Sequence, residues 1–172
     1  MQAWEGRLWE ASNHHTPKPH SPQERQGRWE SMRLFQKKTI YGCEARGDAE
    51  SAYLTRYCLI AGRFGQVAVH VFHRSDADDL HDHPWPFLSF ILWRGYVEVT
   101  DEIRDRHIAR IGRRKIPGMM LFRRPEHQHR VELIDGKKAV TLVVMGPIVR
   151  EWGFLTSEGW KQWRRYFQEK GC

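Results

Sequence analysis

No apolar run in this sequence comes near the roughly 20 residues that a membrane span requires, so neither a transmembrane helix nor a membrane partner is expected. Cysteine is scarce. Cys43, Cys58 and Cys172 are widely spaced, and none belongs to a Cys-x-x-Cys pair. The amino terminus also lacks an apolar signal segment, and a reducing, cytoplasmic setting fits best. There is no internal repeat. At 172 residues the chain is enough for one compact domain and too short for two ordinary ones.

What is present is 40% hydrophobic and 28% charged, the balance of a soluble globular protein. The formal charge of +7 raises an acidic partner such as nucleic acid or a phosphorylated small molecule. Its basic residues are scattered, however, with only short clusters at Arg113-Arg114-Lys115, Arg123-Arg124 and Arg164-Arg165. They read as solvated surface, and nucleic acid is not the expected partner.

Residues 1–31 are rich in Pro, His, Gln, Ser and Arg and have little apolar periodicity, so they read as a poorly ordered tail. Met32 is a plausible start of its own, which would make residues 1–31 a leader or an over-extended reading frame. Deleting them and finding the rest inactive or destabilised would refute that. His14, His15 and His20 in this segment are not assigned a metal role. Residues 32–172 are expected to form the single domain, with its barrel core at about 53–154.

From Tyr53 the pattern changes to short apolar or alternating runs broken by turn residues, the signature of an all-β domain. Tyr53 to Ile60 and Gln66 to His73 flank Gly62-Arg63-Phe64-Gly65 as a hairpin. Further strands are expected at Leu88–Trp93, Tyr96–Thr100, Ile103–Ile111, Met119–Arg123, His129–Ile134, Ala139–Met145 and Val149–Phe154. So many short strands favour a sandwich or closed barrel, which avoids open edges and creates an enclosed cavity. Thr156 or Ser157 is expected to cap a helix over about 156–169, whose Trp160, Trp163 and Phe167 would form an apolar stripe against the barrel.

The most informative segment is Asp79-Leu80-His81-Asp82-His83-Pro84-Trp85. In extended chain, residues two apart project from the same face, so the imidazoles of His81 and His83 can reach one point. Neutral imidazole ligates Fe, Zn, Ni, Mn and Cu. Two histidines are not yet a site. Further along, His127 and His129 share a face in extended chain and are rivals for a third ligand, and His70 could face the same space as a fourth ligand or proton shuttle. His73 and His107 read as surface.

The spacing of these residues resembles the cupin superfamily. From His-x-His at His81 and His83, the first cupin motif places its usual Glu at Leu88 and its Gly at Gly95. Started at Gly118, the second motif places its histidine at His129, its Pro at Arg124, its second Gly at Glu126 and its Asn at Leu133. Pro125 stands one position late. Within that superfamily the His-Asp-His-Pro-Trp run and the Glu-Trp-Gly-Phe segment at 151–154 are similar to small uncharacterised cupin-like proteins, a group that carries no activity to transfer.

The resemblance implies an all-β fold, a small double-stranded β-helix (jelly-roll-like) barrel with a C-terminal helix. It also implies a divalent metal held by His81, His83 and His129, with Fe(II) favoured and Zn, Ni or Mn as alternatives. Leu88 has no donor atom, so the ligands would be three neutral imidazoles, as in three-histidine cupins such as thiol dioxygenases. Such a site suits a small polar or anionic substrate that brings its own donor. Arg63, Arg94, Arg130 and Tyr96 are candidates to hold the substrate's other end, with Tyr96 and Arg130 placed first as catalytic residues. Asp79, Asp82 and Glu132 are candidates to orient the imidazoles.

The leading expectation is a metal-dependent enzyme, with oxygen-dependent oxidation the first reaction to test. Two alternatives stay open. One is a non-catalytic ligand-binding cupin with a structural metal. The other is a metal-free, epimerase-like cupin with His81 or His129 as base and Tyr96 as acid. The same resemblance implies a homodimer.

Overall fold

The computed structural model describes residues 33–172, apart from residues 44, 46, 77, 78, 105 and 106. The expectations for residues 1–31 lie outside the described residues. Twelve strands and one α-helix follow in order: β1 (Arg33–Tyr41), β2 (Ala52–Gly62), β3 (Gly65–Phe72), β4 (Leu80–His81), β5 (Phe87–Trp93), β6 (Tyr96–Arg104), β7 (His107–Lys115), β8 (Met120–Arg123), β9 (Arg130–Leu133), β10 (Ala139–Met145), β11 (Gly153–Thr156), β12 (Gly159–Gln162) and α1 (Trp163–Glu169).

The strands make two facing walls. One is a six-stranded sheet in the order β1-β2-β3-β10-β5-β8. The other is built from two three-stranded sheets, β12-β11-β4 and β7-β6-β9. An isolated antiparallel bridge between His81 and His129 joins these two into one surface. Every strand pairing is antiparallel. The pleat therefore sends alternate residues to the interior: Ile91, Tyr96, Leu121, Val131, Leu133 and Ala139 form one buried cluster against Phe72. Ala68, Val143 and Met145 form a second, with Trp85 and Phe87 packed on it.

Two glycines set corners that no other residue could make cheaply. Gly65 closes the β2–β3 hairpin at φ +141°, and a Cβ there would strike the carbonyl oxygen of Met145. Gly95 carries the chain from the first wall to the second at φ +80°, where a Cβ would strike the carbonyl of Lys115.

Several elements differ from the sequence expectation. β1 was not anticipated: it is an edge strand with mostly exposed side chains, and its pairing with β2 supplies what its own pattern does not. Residues 96–111 hold one long hairpin with no break near Asp101 and Glu102. These acids continue the strand because Asp101 pairs with Arg110, its register partner on β7, and Glu102 pairs with Arg113.

The expected strand at Val149–Phe154 begins only at Gly153 and runs to Thr156. Thr156 caps no helix. Its hydroxyl donates to the carbonyl of Gly159 and accepts from the N–H of Glu158, making the tight turn into β12. The helix starts seven residues later, capped by the Gln162 side chain, which accepts from the N–H groups of Arg164 and Arg165. Trp160 accordingly sits on β12. Trp163 stacks on Trp152 at 5.9 Å, and Tyr166 and Phe167 pack on Phe154.

Cys43 and Cys172 form a disulfide, and Cys58 is buried and free. Disulfides persist in oxidising compartments, so the cross-link runs against the expectation of a reducing setting. No helix among the described residues is long and apolar enough to cross a membrane.

Candidate metal centre

The bridge between the two small sheets is itself the heart of the site. His81 N–H donates to the His129 carbonyl at 2.9 Å, and His129 N–H donates to the His81 carbonyl at 3.0 Å. Directly opposed residues of an antiparallel pair project to the same face, and His83 lies two residues beyond His81. All three imidazoles therefore enter the interior together. Their ring centroids form a near-equilateral triangle of 5.0, 5.1 and 5.2 Å.

One nitrogen from each ring can be chosen so that all three lie within 4.8 Å of one another, a group that could hold a metal ion. His83 Nε2 and His129 Nε2 are 2.9 Å apart. Two ligands at about 2.1 Å from one ion, roughly at right angles, stand about 3 Å apart, so this spacing fits a shared divalent cation.

His129 is oriented from behind. Its Nδ1 lies 2.9 Å from Glu98 Oε1, which accepts that proton and leaves the Nε2 lone pair facing His83. Glu98 is buried on β6 and also accepts from Arg123 Nε at 2.8 Å. Lys115 Nζ stands 3.2 Å away and His127 Nε2 3.3 Å away. Burial alone would raise the Glu98 carboxyl, but hydrogen bonds from His127, His129 and Arg123 hold it far below the usual carboxylate range. Glu98, His127 and His129 make a second group with metal-ligand geometry. The rival third-ligand histidine thus sits beside His129, on the Glu98 side.

The motif position for the usual carboxylate, Leu88, is not on the cavity wall. Its neighbours Phe87 and Ser89 face inward, and the Phe87 ring stands 4.8 Å from His83. The acid nearest the triad is Glu98, behind His129 rather than on the cavity wall, and the sequence reading missed it. Its signal was an acid flanked by Val97 and Val99 in a strand, two residues from Tyr96 on the same face.

The triad opens into a partly open cavity of about 100 Å³ lined by residues of both walls. Tyr96 lines it, with a hydroxyl beside Ser89 and an ionisation pushed up by burial. His70 lines it too, and its Nε2 accepts from Arg56 Nε at 3.1 Å. Asp76, also missed from sequence, accepts from Tyr53 Oη and from the Val131 N–H and stands 3.8 Å from His81 Nδ1.

The other arginines lie elsewhere. Arg130 is on β9 with its guanidinium on Glu132. Arg63 stacks over Phe64, and Arg94 over Trp93 at an exposed corner. None of the three lines the cavity. Nor do the expected orienting acids reach an imidazole. Asp79 accepts from Tyr166 Oη, Asp82 faces away toward Gly153, Arg150 and Trp160, and Glu132 takes Arg130. His73 is half-buried with Thr55, and His107 is exposed.

The buried histidines give the metal-free protein an acid limb. Burial lowers His81 to about 4, against the pull of Asp76, lowers His70 to about 3, and takes His83 well below its ordinary value. A folded-state pKa below the unfolded value means the unfolded chain binds more protons, so stability falls as pH drops from about 6.5. At about 1.36 kcal/mol per pH unit per group, His81 alone should remove roughly 3 kcal/mol by pH 4. Urea denaturation of chelated protein at pH 7.0 and 5.0 should show this loss already in progress, above the range where Glu98 titrates. Equal stabilities would mean the rings are not buried as neutral groups.

The sequence matches no family model, and no curated protein matches it. Solved structures do resemble it. The polyketide cyclase RemF from Streptomyces resistomycificus aligns at a TM-score of 0.46 and 16% identity over 69% of this chain and 82% of that one. The DMSP lyase DddQ from Ruegeria pomeroyi DSS-3 aligns at 0.45 and 20% over 65% and 58%. An RmlC-like cupin from Shewanella frigidimarina NCIMB 400 aligns at 0.39 and 18% over 55% and 77%. No activity is carried over from these. Two walls of antiparallel strands around one cavity, with a histidine-bearing seam and, among the described residues, one α-helix at the C-terminal end, make this an all-β, jelly-roll-like barrel fold.

Proposed function

We propose that the protein is a metal-dependent enzyme acting on a small polar or anionic molecule, with one divalent ion held by His81, His83 and His129. The observation that carries this reading is the triangle of imidazoles, His129 buried and His81 and His83 half-buried, at the end of a partly open cavity, with His83 and His129 nitrogens 2.9 Å apart and Glu98 fixing the His129 tautomer. Three neutral ligands leave a divalent ion its full charge and room for further ligands. Bound there, the ion would supply Lewis acidity and, if it is the favoured Fe(II), one-electron chemistry for oxygen-dependent oxidation.

The chain's own residues do the rest. Phe72, Trp85, Phe87 and Val143 give the space beside the triad apolar walls, and Tyr96 presents a protonated hydroxyl. Under this reading Tyr96 donates a hydrogen bond to the substrate rather than acting as a base. Arg130 would have to leave Glu132 to take part.

Elemental analysis of wild type beside His81→Ala and His129→Ala, purified with and without air, tests the reading. About one divalent ion per wild-type chain, lost in both variants, is the expected result, with iron the ion retained anaerobically. A metal-free wild type under both conditions overturns it.

A further inference from the structure

Opposite the histidine triad, the large sheet presents a row of polar side chains to the same cavity. Arg56 on β2 is the register partner of His70 on β3, and His70 is the register partner of Thr141 on β10. All three line the cavity. Polar residues at consecutive inward positions of a barrel wall carry a cost unless something satisfies them.

Two of the three are left short. Arg56 Nε is used by His70, but its Nη groups have no hydrogen bond and no carboxylate pairs with it among the described residues. Thr141 is 1% exposed, and its Oγ1 has no partner. Asp76 shares the cavity but gives its oxygens to Tyr53 and Val131. A cation and a hydroxyl therefore face a chamber whose other walls are largely apolar.

We propose that Arg56 and Thr141 form an anchor for the carboxylate of a small monocarboxylic acid, whose remaining atoms extend across the cavity toward the histidine triad. The inference rests on the reading of this cavity as a substrate chamber, and it names the substrate class. With Nε occupied, the end-on pair of Nη groups is the fork still available, and it matches the two oxygens of a planar carboxylate. Thr141 Oγ1 donates to one of them. His70 accepts from Arg56 and stays neutral, so the anchor carries a single positive charge. A monoanion balances it, whereas the dianion that inorganic phosphate becomes above neutral pH would bury an uncompensated charge.

Size agrees. If one water needs about 10–15 Å³ of such volume, a cavity of about 100 Å³ takes a molecule equivalent to a small cluster of waters. Short carboxylic acids fit and nucleotides do not. Burial also pulls Arg56 down from its ordinary value, the expected sign for a guanidinium held without an anion.

The test is calorimetric titration of the full chain, after chelation, with propanoate and separately with inorganic phosphate at pH 8, where phosphate is mostly the dianion. Wild type should bind propanoate saturably and phosphate at least tenfold more weakly. Arg56→Met should weaken propanoate binding about tenfold or more, the loss expected for a charged hydrogen bond. Thr141→Val, close in shape, should weaken it several-fold with unchanged thermal stability, which keeps the test valid if Arg56→Met folds poorly.

Propanoate affinity unchanged in Thr141→Val and in folded Arg56→Met, no binding by wild type, or a preference for phosphate would each overturn the proposal. Since chelated protein is used, a protein that never binds metal can still bind propanoate. Metal content retained in Arg56→Met beside lost propanoate binding would separate the anchor from the metal centre.

Discussion

Replacing Glu98 with alanine should destabilise the protein by about 3–5 kcal/mol, and replacing it with glutamine should weaken divalent-metal binding by roughly 10–100-fold. The carboxylate is buried among Arg123, Lys115, His127 and His129, so alanine leaves two buried cations without their anion. Glutamine keeps the volume but turns one oxygen into a donor. Where that amide faces His129 Nδ1, the imidazole proton moves to Nε2, the nitrogen aimed at His83, and the lone pair for a metal is gone. Urea denaturation measures the first effect, and competition against a chromogenic chelator measures the second. A purely structural role would lower stability while leaving the affinity of the remaining folded protein unchanged. Glutamine and wild-type proteins of equal affinity would remove Glu98 from the metal centre.

The histidine triad was legible because its logic is local. His81 and His83 are two apart on extended chain, and the resemblance to the second cupin motif, started at Gly118, leads to His129. Their meeting is a pairing across 48 positions of sequence that only the fold supplies, through reciprocal backbone hydrogen bonds. Glu98 and Arg56 escaped notice for the same reason. Arg56 is the one charged residue of β2, Glu98 stands between two valines on a strand that also carries Asp101 and Glu102, and a strand pattern does not say which face will meet which partner. Arg130 follows His129 directly, and adjacent residues on a strand point to opposite faces.

The end of the chain failed for a different reason. Trp160, Trp163 and Phe167 do recur at helical spacing, but Gly159 takes φ +106° and Thr156 bonds within the turn, so a hairpin competes successfully for the first half of that segment. The apolar period had a second explanation in the aromatic packing of Trp152 against Trp163 and of Phe154 against Tyr166 and Phe167.

Asp82→Ala should cost about 3–5 kcal/mol and take the metal centre with it, although Asp82 touches no metal ligand side chain. Asp82 lies between His81 and His83, so the alternation that sends the imidazoles inward sends this carboxylate the other way. It is 2% exposed. There Oδ1 accepts from Gly153 N–H at 2.7 Å, while Oδ2 accepts from Trp160 Nε1 at 2.9 Å and Arg150 Nη1 at 2.7 Å. Its own N–H donates to the Gly153 carbonyl at 3.1 Å. One side chain thus ties the histidine segment to β11, β12 and the stretch between β10 and β11. Alanine strands three donors, two of them buried or half-buried beside a guanidinium that has lost its counter-charge. Trp160→Phe removes only one neutral donor and should cost about 1 kcal/mol. Denaturation of the two variants, with metal content measured on the folded fraction, checks the ranking. A loss below about 1 kcal/mol in Asp82→Ala, or full metal content there, would mean the closing hairpin holds the histidine segment by aromatic packing alone.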